Sequence, residues 1–419
     1  MASAKDGGRL PSLAQAEWLR RPGTVAVLTA LTAKGGEARV VGGAVRNALM
    51  GLPVKDVDIA TTALPADVMR LAAQAGLHAV PTGIEHGTVT VIADHVPIEV
   101  TTLRRDIETF GRHARVTFTT EWTEDALRRD FTMNALYCGA DGAVHDPLGG
   151  YADLLARRVR FIGDARARIR EDYLRILRFF RFLAAYGDGS PPDPDGLSAA
   201  IAERSGLTGL SGERIRAELL LLLAARRAVE AAREMHVAGL LEPLIGVPGN
   251  VEQLAHLASI EESLGREPDA VLRLAALALG PDADAARLQE RLRLSAAETV
   301  RLSQAGVRDG AFEPNSSERE AQAFIYRLGA QAFTDGALME WARSGDEPGD
   351  AARARRVRLP ERWQAPELPV RGADVLALGA KPGPEVGRVL SAFETWWIAQ
   401  GFPTDPARAK AKLSELVRG

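Results

Sequence analysis

The chain is expected to fold as an α+β protein, with a small β-sheet domain near the front and an all-helical remainder. Up to about residue 150, short β-rich runs alternate with helical ones, and the turns between them carry Gly, Pro and Asp. From about Ala152 onward the residues shift to Ala, Leu, Arg and Glu at helical spacing, and extended runs almost vanish. A length of 419 residues adds that two to four units share the chain.

The elements follow in order. Arg39 to Val41 reads as a strand, Ala44 to Met50 as a short helix, and Lys55 to Ala60 as a second strand. After a helix over Pro65 to Ala75, His86 to Ala93 and Val96 to Leu103 read as paired strands. Thr123 is placed to N-cap a helix running through Tyr137, with Glu124 and Asp125 in its favourable first turn. An Asp141-Gly142 turn then joins two short strands. Among the helices that follow, Ser190 to Gly196 (SPPDPDG) is a breaking loop. A second loop spans Ser344 to Asp350, before the basic run that begins at Arg353, and the last segment becomes a helix entered after Pro384.

Charge narrows the function classes. Lysine and arginine number 52 against 55 acids, a net charge of −3, so no global positive field attracts nucleic acid or an anionic membrane. The distribution is uneven: Arg157 to Arg181 holds nine arginines and three acids, a local +6 that leaves −9 for the rest. That stretch is an anion-binding face or a solvated helix face. The single cysteine, Cys138, excludes an intrachain disulfide and a thiolate zinc cluster, and points to a reducing cytoplasm. The first residues lack the pattern of a secretory signal, and the longest apolar run, Leu219 to Ala225, is too short to span a bilayer.

Four motifs carry chemistry. In VVGGAVRNALMG, Gly42 and Gly43 end a strand and let the backbone turn tightly and approach a phosphate, while the next helix offers free N–H groups. Alone, the pair is a strand-to-helix turn. In KDVDIATT, Asp56 and Asp58 sit two apart on the expected strand, so their carboxylates share a face and call for a cation. Carboxylates beside a triphosphate suit Mg²⁺, and a two-metal arrangement activates a hydroxyl and stabilises leaving pyrophosphate. A solvated strand edge is the competing reading. Glu99 joins this cluster if its strand neighbours that of Asp56, and is otherwise an edge glutamate.

In ALRRDFTMNALY, Arg129 shares the expected helix with Asp130 and Asn134, as a triphosphate grip or a surface ion pair. In REDYLRILRFFRF, Asp172 and Arg175, three apart on a helix, set an acceptor beside a fork of donors. Such a pair complements the exocyclic amine and adjacent ring acceptor of cytosine or adenine, and not the reversed pattern of uracil or guanine. Arg178 and Arg181 continue the face toward sugar and phosphates, Glu171 lies four before Arg175, and Leu174, Leu177, Phe180 and Leu183 bury the other side. An amphipathic helix with internal ion pairs is the alternative. His86, His113 and His145 lack metal-ligand spacing, and Trp396 and Trp397 read as core or interface residues.

In one order, GGAVRNALMGLPVKDVDIATT, HGTVTV, EVTTLRRDIETFGRHARV, RRDFTMNALY, DPLGGYADL, EDYLRILRFFRF and LSGERIRAEL resemble the class II tRNA nucleotidyltransferases, the CCA-adding enzymes of the polymerase-β-like superfamily, and the related bacterial poly(A) polymerases. The resemblance covers roughly residues 38 to 225, with a weaker likeness near the end. It implies a head at 38–150 after a helical extension at 1–37, a neck at 151–226, a body at 227–345 and a tRNA-binding tail at 346–419. It further implies that Gly42, Gly43, Arg46 and Arg129 contact the nucleotide, that Asp56 and Asp58 bind catalytic Mg²⁺, and that TTLRRDIETFGRHARV matches the loop that switches from cytidine to adenosine addition. Asp172 and Arg175 match the base-reading pair, with Arg178 and Arg181 beside them. Two positions depart from the family pattern: Asn47 replaces a common aspartate, and Tyr173 a common proline. The expected activity is Mg²⁺-dependent addition of CMP, CMP and AMP, from CTP and ATP, to the 3′ end of tRNA in the cytoplasm. A poly(A) polymerase, an enzyme adding only CC or only A, and a non-catalytic RNA-binding protein on the same scaffold stay open.

Overall fold

A computed structural model describes residues 10–110, 113–280 and 285–418, without the side chains of 106–115. The chain forms two compact units, Met1–Leu244 and Ile245–Gly419. In the first, helix α1 (Pro22–Thr32) precedes β1 (Ala38–Val41), α2 (Gly43–Leu49), β2 (Asp58–Thr61) and α3 (Pro65–Gln74). Strands β3 (His78–Gly83), β4 (Thr88–Ala93) and β5 (Val96–Thr102) follow. The expected β4–β5 pairing is antiparallel, but β3 went unread because its residues are mostly half-buried or exposed, without an apolar alternation. His86 lies in a short 3₁₀ turn before β4.

The sheet is seven-stranded, in the order β3-β4-β5-β2-β1, completed by two short strands, β8 (Tyr137–Cys138) and β9 (Val144–His145), across the Asp141-Gly142 turn. Strands β6 (Arg104–Phe110) and β7 (His113–Phe118) form a separate hairpin over the expected switching segment, of which Gly111 and Arg112 lie outside the described residues. β2 runs antiparallel to β1 and parallel to β5, which sets Asp58 opposite Val41 on one side and Glu99 on the other.

Three element expectations are corrected. The strand expected from Lys55 begins only at Asp58, because Arg21 takes the carbonyls of Val54 and Lys55 at 3.2 and 3.3 Å in place of a strand partner. The helix expected through Tyr137 is α4 (Trp122–Leu127), which carries no side-chain cap. It ends because local side-chain bonds compete with the helix: the Asp130 carboxylate accepts from its neighbour's Phe131 N–H and from Asn134. Arg129 therefore lies beyond the helix. Finally, Asp172 and Arg175 do not share one helix. Asp172 is extended (φ −157°, ψ 107°) between α6 (Ala165–Glu171) and α7 (Leu174–Tyr186), where its carboxylate accepts from Leu174 N–H.

α7 is buried through Ile176, Leu177, Phe179, Phe180 and Phe182, while Leu183 is only half-buried. Phe131, Phe161, Phe179 and Phe182 stack into one aromatic cluster at ring separations of 4.9–6.4 Å. The loop at Ser190 closes sooner than expected, with Asp193 capping a helix whose first residue is Pro194.

The second unit is helical throughout its described residues, from Val251–Ser263 to Pro406–Arg418. Ser295 and Ser317 open two of its helices with capping boxes. Trp397, Phe393, Val375, Val389 and Leu413 form its terminal core, as expected for Trp397, with Trp396 packed alongside. No helix among the described residues is long and apolar enough to cross a membrane.

Candidate active site

The end of β1, the start of β2, the RRD segment and α7 converge on one open cleft of about 490 Å³ in the first unit. Gly42, Gly43, Arg46, Asp58, Arg129, Asp172, Arg175, Arg178 and Arg181 all line it, so nine of the ten residues singled out from sequence meet in one place. The tenth, Asp56, precedes β2 and is exposed beside it.

Gly42 turns the chain at φ 72° and ψ −121°, a conformation that a side chain strains to adopt. Val41 pairs with Asp58, so this turn leaves the sheet where the carboxylates lie. The Asp58 carboxyl is pushed above its usual range, first by loss of water around it, then by Glu99 in register on β5, with Asp56 adding to the rise and Arg129 opposing it. Glu99 thus neighbours Asp58 as its strand placement allowed, although no group of three or more His, Cys, Asp or Glu among the described residues converges as a metal cage.

The cations are held by a buried network. Asp125 accepts from Arg129 Nε and Nη2 on one oxygen, from Arg128 on the other, and from the Tyr137 hydroxyl at 2.8 Å. Asp130 accepts from Arg178 Nε and Nη2 at 3.0 and 2.6 Å and from Asn134 Nδ2 at 2.8 Å, and Asn134 Oδ1 in turn accepts from Arg46 at 2.5 Å. The RRD segment thereby ties the glycine turn to α7. These arginines hold both carboxyls down to about 2, against the opposing effect of burial. Glu218 pairs with Arg178 and Arg181 at 3.2 and 2.5 Å.

Arg175 pairs with Glu171, as their four-residue spacing implied, and donates to the Arg168 carbonyl. Asp172 is held by Arg214 at 2.6 Å. Arg214 also lines the cleft, yet was not singled out: its segment LSGERIRAEL carried the resemblance, but an arginine on an amphipathic helix shows nothing of its partner 42 residues upstream. Asp125 went unread as an anchor for the same reason, since its position suggested only a helix N-terminus.

A cleft lined by Asp58 at a strand end and by six arginines is the arrangement expected of a nucleotidyltransferase of the polymerase-β-like kind. The family model described as the Poly A polymerase head domain matches residues 38–160. The mitochondrial CCA tRNA nucleotidyltransferase 1 of Mus musculus is 35% identical over 391 residues, covering 90% of this chain and 86% of that protein. The CCA-adding enzyme of Limosilactobacillus fermentum is 31% identical over 396 residues, covering 94% and 96%. The crystal structure of the Bacillus stearothermophilus CCA-adding enzyme in complex with CTP superposes with a TM-score of 0.75 at 29% identity, over 94% of this chain and 97% of that one. The chain belongs to the family of CCA-adding tRNA nucleotidyltransferases. Enzymes of this kind generally use a divalent metal.

Proposed function

We propose that this chain adds CMP, CMP and AMP to the 3′ end of tRNA without a nucleic-acid template, releasing pyrophosphate at each step, and that the cleft beside Asp58 is where it does so. The observation that carries this reading is the meeting of Asp58 and the Asp172–Arg175 pair in one cleft. The tRNA 3′-hydroxyl attacks the α-phosphorus of CTP or ATP, and the bond to the pyrophosphate breaks.

Asp56 and Asp58 are hard oxygen donors whose mutual repulsion suits a divalent cation, and they are the residues that would hold Mg²⁺. Bound there, Mg²⁺ would supply Lewis-acid stabilisation of charge on the phosphoryl oxygens. Arg129, braced by Asp125, faces the cleft as a preorganised donor for the triphosphate, with Arg46, Arg178 and Arg181 adding positive charge. Gly42 and Gly43 keep the approach to the phosphates clear of side chains.

In the same cleft, Asp172 accepts from the exocyclic amine of cytosine or adenine while Arg175 donates to the neighbouring ring nitrogen. Arg214 holds the first and Glu171 the second, so the protein presents a fixed pairing edge. The basic neck (151–226) and the tail at 346–419 bind the tRNA backbone, which makes affinity fall with salt. We also propose the division into extension (1–37), head (38–150), neck (151–226), body (227–345) and tail. The bacterial relatives and a lone buried thiol, Cys138, support a cytoplasmic location.

Incubating tRNA that lacks its terminal trinucleotide with CTP and ATP, separately and together, tests the activity. CTP alone should add two residues and the mixture three. A long A tail made without CTP indicates a poly(A) polymerase instead, and tRNA binding without any incorporation a binding protein.

A further inference from the structure

Five of the six arginines lining the cleft have a carboxylate partner: Arg129 has Asp125, Arg175 has Glu171, Arg178 has Asp130 and Glu218, Arg181 has Glu218, and Arg214 has Asp172. Among the described residues, Arg46 is the exception. Its guanidinium donates to Asn47 Oδ1 from Nε and Nη2 at 3.1 and 2.9 Å, to Asn134 Oδ1 at 2.5 Å and to the Tyr186 hydroxyl at 2.6 Å, all neutral acceptors. It also lies 4.1 Å from the centre of the Tyr186 ring and 5.1 Å from that of Phe182.

Buried Arg46 is repelled by Arg181 and Arg178 and attracted by Asp130, with which it forms no ion pair, so its direct hydrogen-bond partners, all neutral, fix its direction through geometry. Tyr186 contributes twice, through a hydrogen bond and through the electron-rich ring face that attracts a cation. It is the last residue of α7, the helix that carries Arg175, Arg178 and Arg181, so one helix sets the position of all four arginines. Arg46 lies near Gly43, whose Cβ position is 3.7 Å from Nη2, and none of its hydrogen bonds goes to Asp172 or Arg175.

We propose that Tyr186 is a positioning residue that aims Arg46 at the sugar and triphosphate common to CTP and ATP, and takes no part in choosing the base. This rests on the reading of the cleft as the nucleotide site. Asn47 and Asn134 complete the neutral cradle, and Asn47 is itself held by the Pro53 carbonyl.

The test compares the full-length protein with Tyr186→Phe and Tyr186→Leu, measuring KM and kcat for CTP on tRNA lacking the trinucleotide and for ATP on tRNA ending in CC, with melting curves alongside. Tyr186→Leu is expected to raise KM about tenfold for both nucleotides alike, with kcat changed less than about threefold, since both a ring contact and a hydrogen bond are lost. Tyr186→Phe keeps the ring and should raise KM only about threefold. A lowered melting point with unchanged KM in Tyr186→Leu overturns the proposal, as does a rise for one nucleotide only. If Tyr186→Leu does not fold, an unchanged KM in Tyr186→Phe overturns it equally. An unaltered protein that incorporates neither nucleotide refutes the reading of the cleft itself, and this inference with it.

Discussion

Asp125, only 1% exposed, receives both Nε and Nη2 of Arg129 on a single carboxylate oxygen, at 3.2 and 2.9 Å. Its other oxygen serves Arg128, and the Tyr137 hydroxyl completes the cluster. Breaking a buried ion pair by removing one partner costs about 3 kcal/mol or more. Asp125→Asn should therefore lose about 3 kcal/mol of unfolding free energy in urea titration, and nucleotide KM should rise because Arg129 is no longer braced. A variant as stable as the unaltered chain would place the support of Arg129 elsewhere.

Acid stability carries a sign that this network sets. Asp125 and Asp130 have folded-state values lowered to about 2, well under the ordinary aspartate value of about 3.9. A lowered folded value means stability that is fully present above about pH 4 and lost as pH falls toward 2. Each group should contribute about 2 kcal/mol over that window. Unfolding free energies measured from pH 5 to pH 2 should fall more steeply for the unaltered protein than for Asp125→Asn. Parallel curves would count against the assignment.

Tyr173, where the family commonly has proline, has φ −60° and follows an extended Asp172, the conformation that proline and its preceding residue favour. Its ring fills the space over Gly206, where an added Cβ would lie 2.0 Å from the ring. Tyr173→Pro should keep the geometry of the Asp172–Arg175 pair, and so nucleotide preference, while the melting temperature drops through loss of the ring. A change in the CTP-to-ATP preference would show that the tyrosine shapes the entry to α7.

Local periodicity made most of the head legible: β1, α2, α3 and the β4–β5 pair lie within a few residues of where alternation and breakers put them. Reading failed where side chains compete with the backbone. Asp130 and Asp172 each stop or reset a helix by taking a nearby N–H, and Arg21 removes the carbonyls that would have lengthened β2. Most of the residues that line the candidate cleft were legible because they fall in an ordered series of motifs. Their supports were not, since Asp125, Asn134, Tyr186 and Arg214 acquire meaning only from partners brought together by the fold.

We propose a division of labour in which Asp56 and Asp58 serve the chemistry while Asp172 and Arg175 choose the base. Single-turnover incorporation from CTP, ATP, UTP and GTP, both into tRNA lacking its terminal trinucleotide and into tRNA ending in CC, measures it in the unaltered protein, Asp58→Ala and Arg175→Ala. Asp58→Ala should lose incorporation of every nucleotide by roughly a thousandfold, as loss of several kcal/mol of transition-state stabilisation requires, while Arg175→Ala keeps measurable incorporation but no longer favours C and A over U and G. Full incorporation by Asp58→Ala, or unaltered nucleotide preference in Arg175→Ala, would show that these residues do not divide the work in this way.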